Sequence, residues 1–215
     1  MNILRHRVLA VCAACSGLIG CVPWTVRPIE DGTVNAAKGI TTPSAYVDQI
    51  WTSKLLPAIA GSAVDAPALI HSMEKGLSAA QAQYARPNTN AASYWMVKGE
   101  GRVVAVDQRS RNGLIMVDVA PFDGRPDVSI QIGPVLRGTS LRDATGLVPF
   151  TDFLNQLHFA DVGNELNERV LKLVLAPLDV KALKGRQVAF LGTAAADEGV
   201  PPIHALVPVR LELQP

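Results

Sequence analysis

Past residue 21 the chain has no cysteine. Nothing beyond that point can form a disulfide, complete a cysteine zinc site or act as a thiolate nucleophile. Cys12 and Cys15 have the CxxC spacing of a redox or zinc pair, but they sit inside an apolar segment of the kind that directs export. Histidine is also scarce, and His6, His71, His158 and His204 show no ligand spacing. No nucleophile–base pair is recognisable, so enzyme chemistry has no motif to stand on, and no cofactor is expected. An excess of basic charge is missing too. Twenty Lys and Arg face nineteen Asp and Glu, a formal net charge of +1. A body this close to neutrality lacks the basic stripe that phosphates require, which argues against nucleic acid as a partner. Internal repeats and low-complexity segments are absent.

What is present begins with an export signal. Residues 1–7, MNILRHR, are basic. The apolar run 8–19 is too short to span a bilayer but suits the middle of a signal peptide. The run ends in Leu18-Ile19-Gly20-Cys21, which resembles the bacterial lipobox. The resemblance implies a diacylglyceryl group on the Cys21 sulfur and cleavage after Gly20, so that the membrane is a partner through lipidated Cys21. The alternative is an uncleaved anchor or an ordinary signal. Each buried methylene contributes roughly 0.8 kcal/mol, and two or more acyl chains anchor stably. Val22 stands where an aspartate would favour inner-membrane retention in enteric bacteria, which favours the outer membrane. Removing Arg5 and Arg7 with the signal leaves eighteen basic against nineteen acidic residues, a net charge of −1.

The mature chain of this 215-residue protein can bury one good core. Four segments are expected: a lipoprotein signal peptide at 1–20, a lipid-anchored tether at 21–43, a helical part at 44–90 and a β domain at 91–215. The tether is rich in Pro and Gly, with a short strand at 24–27 as an option. Thr42 and Pro43 open a helix with Val47, Ile50, Trp51, Leu55, Ala58 and Ile59 on one face. Trp51 reads as core packing rather than a ligand platform. Pro57 should kink or end this helix. Asp65 can cap a second helix whose stripe is Leu69, Ile70, Met73, Leu77 and Tyr84.

From residue 94 the hydrophobic period falls to two. Strands are expected at 94–107, 114–119, 127–133, 186–193 and 204–213. Gly99 and Gly101 would allow a bulge or bend in the first, and Asn112-Gly113 marks a hairpin. In the third, Val128, Ile130 and Ile132 face one way and Ser129 and Gln131 the other. A helix between the third and fourth strands is capped by Asp161 and stopped by Pro177, with Val162, Leu166, Val170, Leu173 and Val174 along one face. This order implies an α+β, mainly β fold, a five-stranded OB-like barrel preceded by two N-terminal helices. An open antiparallel sheet with helices on one face is the alternative.

Four blocks carry a family resemblance: WTSKLLP at 51–57, VKGEG at 97–101, QIGP at 131–134 with RGTSLRD at 137–143, and FADV at 159–162 with Asn164. They resemble an uncharacterised family of predicted periplasmic lipoproteins, over about residues 46–211. Members are often encoded beside sugar importers of the ATP-binding-cassette type. The resemblance therefore implies a transport-linked role, with a sugar or an importer component as partner, and implies no catalytic residues.

The segment 127–168 gathers the polar side chains from which a site could be built. Gln131, Arg137, Thr139, Arg142, Asp143, Asn155 and Gln156 supply donors and acceptors suited to a small neutral ligand such as a sugar. They could equally satisfy backbone groups in an irregular segment. Asp143, Asp152 and Asp161 could form a glycosidase-like pair, but two of them sit where helix caps belong. Lys98 and Glu100 read as a surface turn. A scaffold for another envelope protein is a further possibility and predicts an exposed apolar patch near the N-terminal helices. Cys21→Ser should abolish lipidation and leave the chain unprocessed at Gly20. Mass spectrometry of the mature wild-type protein checks this, because an unmodified Cys21 there contradicts the anchor.

Overall fold

The computed structural model describes residues 42–87, 92–153 and 155–214. The signal segment, Cys21, the tether and the optional strand at 24–27 lie outside the described residues. The fold is mixed α/β.

Thr42 caps α1 (Pro43–Ile50), its hydroxyl accepting the Ala45 N–H at 3.2 Å. A π-helical turn, Trp51–Leu55, leads directly into α2 (Leu56–Ser62). Pro57 thus neither ends the helix nor stands in a regular one. Its ring would crowd the carbonyl four residues back, and it has no N–H to donate. The turn before it widens instead, with the Leu56 N–H reaching the Trp51 carbonyl five residues earlier. Val47, Ile50, Trp51, Leu55 and Ile59 are all buried. The expected second helix is two, α3 (Ala66–Glu74) and α4 (Leu77–Tyr84). They part at Gly76, whose φ of 131° favours glycine. Asp65 occupies the N-cap position of α3, but its side chain makes no capping bond and lies 3.8 Å from Lys98. Two short strands not foreseen, β1 (Val64–Asp65) and β2 (Arg86–Pro87), flank these helices.

Five longer strands follow: β3 (Ser93–Asp107), β4 (Leu114–Val119), β5 (Val128–Gln131), β6 (Gln187–Ala195) and β7 (Ile203–Leu213). β3 pairs with β6 from Tyr94↔Ala195 to Arg102↔Gln187 and with β4 from Gly101↔Val119 to Asp107↔Leu114. β4 pairs antiparallel with β5, β5 parallel with β7, and β7 antiparallel with β6. The pairings therefore return to β3, which also takes β1 and β2. The bulge expected at Gly99 and Gly101 lies beyond them, between Val103 and Ala105. Those glycines serve close approach instead. A Cβ on Gly99 would stand 2.8 Å from the Phe190 ring, and one on Gly101 would stand 2.5 Å from the Asp118 carbonyl oxygen.

On β5 both faces are buried, including the polar one. That face covers an irregularity in β7. The β5–β7 register slips between Val128↔Ile203 and Ile130↔Leu206, and Ala205 adopts φ 50°. The Ala205 N–H donates to Ser129 Oγ at 2.8 Å, and its carbonyl accepts from Gln131 Nε2 at 2.7 Å. Two side chains thus replace ladder bonds that the slip removes.

The helix between β5 and β6 differs from expectation at both ends. α6 (Gln156–Val170) is capped by Asn155, whose Oδ1 accepts the His158 N–H at 2.9 Å. Asp161 lies inside it. The first turn, Gln156–Phe159, holds Leu157 and Phe159 off the stripe that begins at Val162, and Leu157 is 64% exposed, so a cap placed next to the stripe falls a turn and a half late. A second π-helical turn, Leu171–Leu175, extends the helix. It places Leu175, five residues after Val170, in the core, and leaves Leu173 55% exposed. α1 meets α6 through an Asp48–Arg169 ion pair, and Tyr46 meets Phe153 with ring centroids 5.2 Å apart. Among the described residues no helix is long and apolar enough to cross a membrane.

Asn155→Ala should destabilise the protein by about 0.5–2 kcal/mol, the range for loss of an N-cap. Asp161→Ala should change stability by less than about 0.5 kcal/mol. Gln131→Ala should be more damaging than either, because each buried backbone group left unpaired costs about 1–3 kcal/mol. Urea denaturation of the three variants ranks them.

Candidate functional site

The polar segment after β5 is organised by Gln131, which is only 1% exposed. Besides Ala205 it holds both ends of the Arg137 peptide: its Oε1 accepts the Arg137 N–H at 2.7 Å and its Nε2 donates to the Arg137 carbonyl at 3.0 Å. Gly138 turns the chain at φ 92° into α5 (Ser140–Asp143). Ser140 is tied to β6 by an Oγ bond of 2.8 Å from the Thr193 hydroxyl.

At the end of α5 stands a buried ion pair. Arg142 Nε and NH2 donate to the two Asp143 oxygens at 2.8 and 3.0 Å. The side chains of Arg142 and Asp143 are 10% and 5% exposed. Asp143 Oδ2 also accepts from the Thr139 hydroxyl at 2.6 Å and the Tyr94 hydroxyl at 3.2 Å. The guanidinium lies 3.7 Å from the Phe159 ring centroid and donates to the Phe159 carbonyl at 3.1 Å. A charge pair this far from water is retained only when its remaining donors and acceptors are filled, as they are here.

Two hollows back onto this pair. The larger, about 460 Å³, has Arg142, Asp143, Phe150, Thr151, Gln156 and Phe159 in its walls. Phe150 and Phe159 meet edge to face at 5.4 Å. The smaller, about 310 Å³, is lined by Tyr94, Arg137, Thr139 and His204 among others. The seven residues expected to form one wall are therefore divided. Arg142, Asp143 and Gln156 share the first hollow, and Arg137 and Thr139 the second. Gln131 and Asn155 line neither, since one clamps backbone and the other caps α6. Phe150, Phe159, Tyr94 and His204 were missed. No sequence signal marks the phenylalanines as site residues, and Tyr94 and His204 lie on strands far off in sequence.

The three carboxylates of the hydrolase reading fall into different roles. Asp143 has both oxygens engaged, Asp152 sits in a 3-10 turn and Asp161 within α6. Among the described residues no group of three His, Cys, Asp or Glu could hold a metal ion. The perturbed carboxylates lie elsewhere. Asp107 is held at about 2 by the Arg109 side chain and backbone. Burial raises Asp127, helped by Asp118 and Asp123 and opposed by its bond from the Val119 N–H.

A family model described as "Predicted periplasmic lipoprotein (DUF2291)" matches residues 10–212. The chain is similar in structure to an OB-fold protein from Thermotoga maritima known from a crystal structure. The TM-score is 0.64 and the identity 24%, with 80% of this chain and 98% of the other covered. No curated protein matches.

Arg142→Ala strands the Asp143 carboxylate and should lower stability by about 3–5 kcal/mol. Arg142→Lys should recover only part, because an ammonium cannot reproduce the fork. Calorimetric melting of both variants measures this. Asp127 gives a pH signature. Its folded pKa lies above the ordinary aspartate value of 3.8, so ionisation disfavours the folded state. That penalty is absent below 3.8 and grows as pH rises towards the raised folded value. Asp127→Asn keeps an acceptor for Val119. It should be at least as stable as wild type at pH 7 and lack this component of the pH–stability curve.

Proposed function

We propose that this chain, which belongs to the DUF2291 family of predicted periplasmic lipoproteins, is a non-enzymatic binding or accessory protein for sugar uptake, tethered to the envelope through a lipid on Cys21. The observation that carries the reading is the 460 Å³ hollow beside the Arg142–Asp143 pair. Its volume falls in the range of small-molecule sites. Two aromatic rings offer apolar faces for sugar C–H groups, and the exposed Gln156 amide and Thr151 hydroxyl offer hydrogen bonds. Asp143 and Arg142 serve as a rigid floor rather than as an acid and a base, which supports binding over hydrolysis. The closed ring of pairings is read as an OB-type barrel with α6 bridging its third and fourth strands, and Val22 favours the outer membrane over the inner.

A second reading has its own observation. Ile70, Met73 and Leu77 of α3 and α4 line an open groove of about 850 Å³ with Val200, which is 96% exposed. Glu74, Asp123, Arg125, Asp127 and Glu198 also line it, and such a groove, part apolar and part charged, beside the N-terminal helices suits a scaffold that docks another envelope protein.

The first reading is tested by thermal-shift screening of residues 22–215 against neutral and acidic sugars, since a ligand bound only by the folded state raises Tm. Gln156→Ala should weaken a sugar that binds in this hollow by about 0.5–1.5 kcal/mol and leave the ligand-free Tm unchanged. A screen without a single shift, or a shift indifferent to Gln156, contradicts the sugar site and leaves the groove reading standing.

A further inference from the structure

The smaller hollow differs from the larger in charge. Arg137 is exposed on its wall, and its guanidinium has no ion-pair partner among the described residues. Its backbone is nonetheless held at both ends by Gln131, a buried side chain whose remaining bond goes to Ala205. The clamp fixes where Arg137 leaves the chain, although its side chain makes no hydrogen bond or ion pair among the described residues. The neighbouring groups leave that positive charge unanswered. The Asp143 carboxylate is occupied by the Arg142 fork and by the Thr139 and Tyr94 hydroxyls. Asp197, 65% exposed, lies 3.0 Å from His204 Nε2 on the far wall. A guanidinium carried on a backbone held in this way fits a small anionic group by paired N–H bonds.

We infer that this hollow is an anion subsite, with Arg137 receiving a carboxylate or a phosphate, and that the ligand of the adjoining cleft is an acidic sugar, either a uronate or a sugar phosphate. The inference rests on the sugar-site reading. Tyr94 and Thr139 line the small hollow and both donate to Asp143, which lines the large one. The Asp143 carboxylate therefore ties the linings of the two hollows together, which makes them neighbours.

The test is isothermal titration of residues 22–215 with galactose, galacturonate and galactose 6-phosphate, and separately with acetate and inorganic phosphate. At least one acidic sugar should bind about tenfold or more tighter than galactose, the effect of one charge-assisted hydrogen-bonded contact. Arg137→Gln should remove that advantage without changing galactose binding. Its Tm should match wild type, because Gln131 grips the backbone and not the side chain. The preferred acidic sugar distinguishes carboxylate from phosphate. Galactose binding as tightly as both acids, or an acid preference that survives Arg137→Gln, overturns the anion subsite and leaves the sugar reading intact. Acetate or phosphate binding that Arg137→Gln abolishes, with no sugar binding, upholds the subsite and overturns the sugar reading. Titrations in which no probe binds overturn both.

Discussion

One strand has to serve two neighbours, and the rest of the fold follows from that. β3 gives its first part to β6 and its last part to β4, with both partners meeting it at Gly101 and Arg102. A side chain at Gly101 would collide with the backbone of β4. The return path from β4 to β6 then runs through a parallel joint between β5 and β7, the one irregular seam among these pairings where strands run the same way. The seam holds because Ser129 and Gln131 carry the hydrogen bonds that the slipped ladder drops. Polar residues on a buried strand face are costly unless every group finds a partner. Here the partners are backbone groups that would otherwise be orphaned.

Gln131 links this seam to the site. The same amide that secures Ala205 also secures Arg137, so strand pairing and loop placement share one side chain. Beyond that point the chain is fixed by a second device, the fork between Arg142 and Asp143. The fork joins α5 to α6 through the Phe159 carbonyl and to β3 through the Tyr94 hydroxyl. Both hollows take their walls from this braced segment. Their shape is thus set by the fold's own hydrogen bonding, as a preorganised binding surface requires.

The strands were largely legible because a period of two with turn residues between is a local signal, and 94–107 and 204–213 fall within a residue of β3 and β7. The helices were legible by face but not by boundary. The Asn155 cap was hidden because Leu157 and Phe159 in the first turn of α6 do not continue the stripe that starts at Val162. Leu173 was placed inside because a 3.6-residue period was extended through a turn that does not keep it. The site was legible as a region and not as a geometry. Nothing local separates Arg142, which is buried against Asp143, from Arg137, which is exposed and has no ion-pair partner among the described residues, since that difference is made by Tyr94 and Phe159 arriving from distant positions. The expectation that Gln131 contacts a ligand has the same origin: its partner Ala205 lies far along the chain.

The two widened turns make chain length itself part of the code. Each holds one residue more than a regular helical path between the same core contacts would need. Winding 51–55 as an ordinary spiral with every residue kept would swing everything after it by about 100°. Ile59 would then rotate away from the interior, although no apolar residue had been lost. The same rewinding at 171–175 would disturb only the short remainder before the chain turns to β6. In the first helix, then, phase is inherited by a long downstream lever, and in the second it is discharged almost at once.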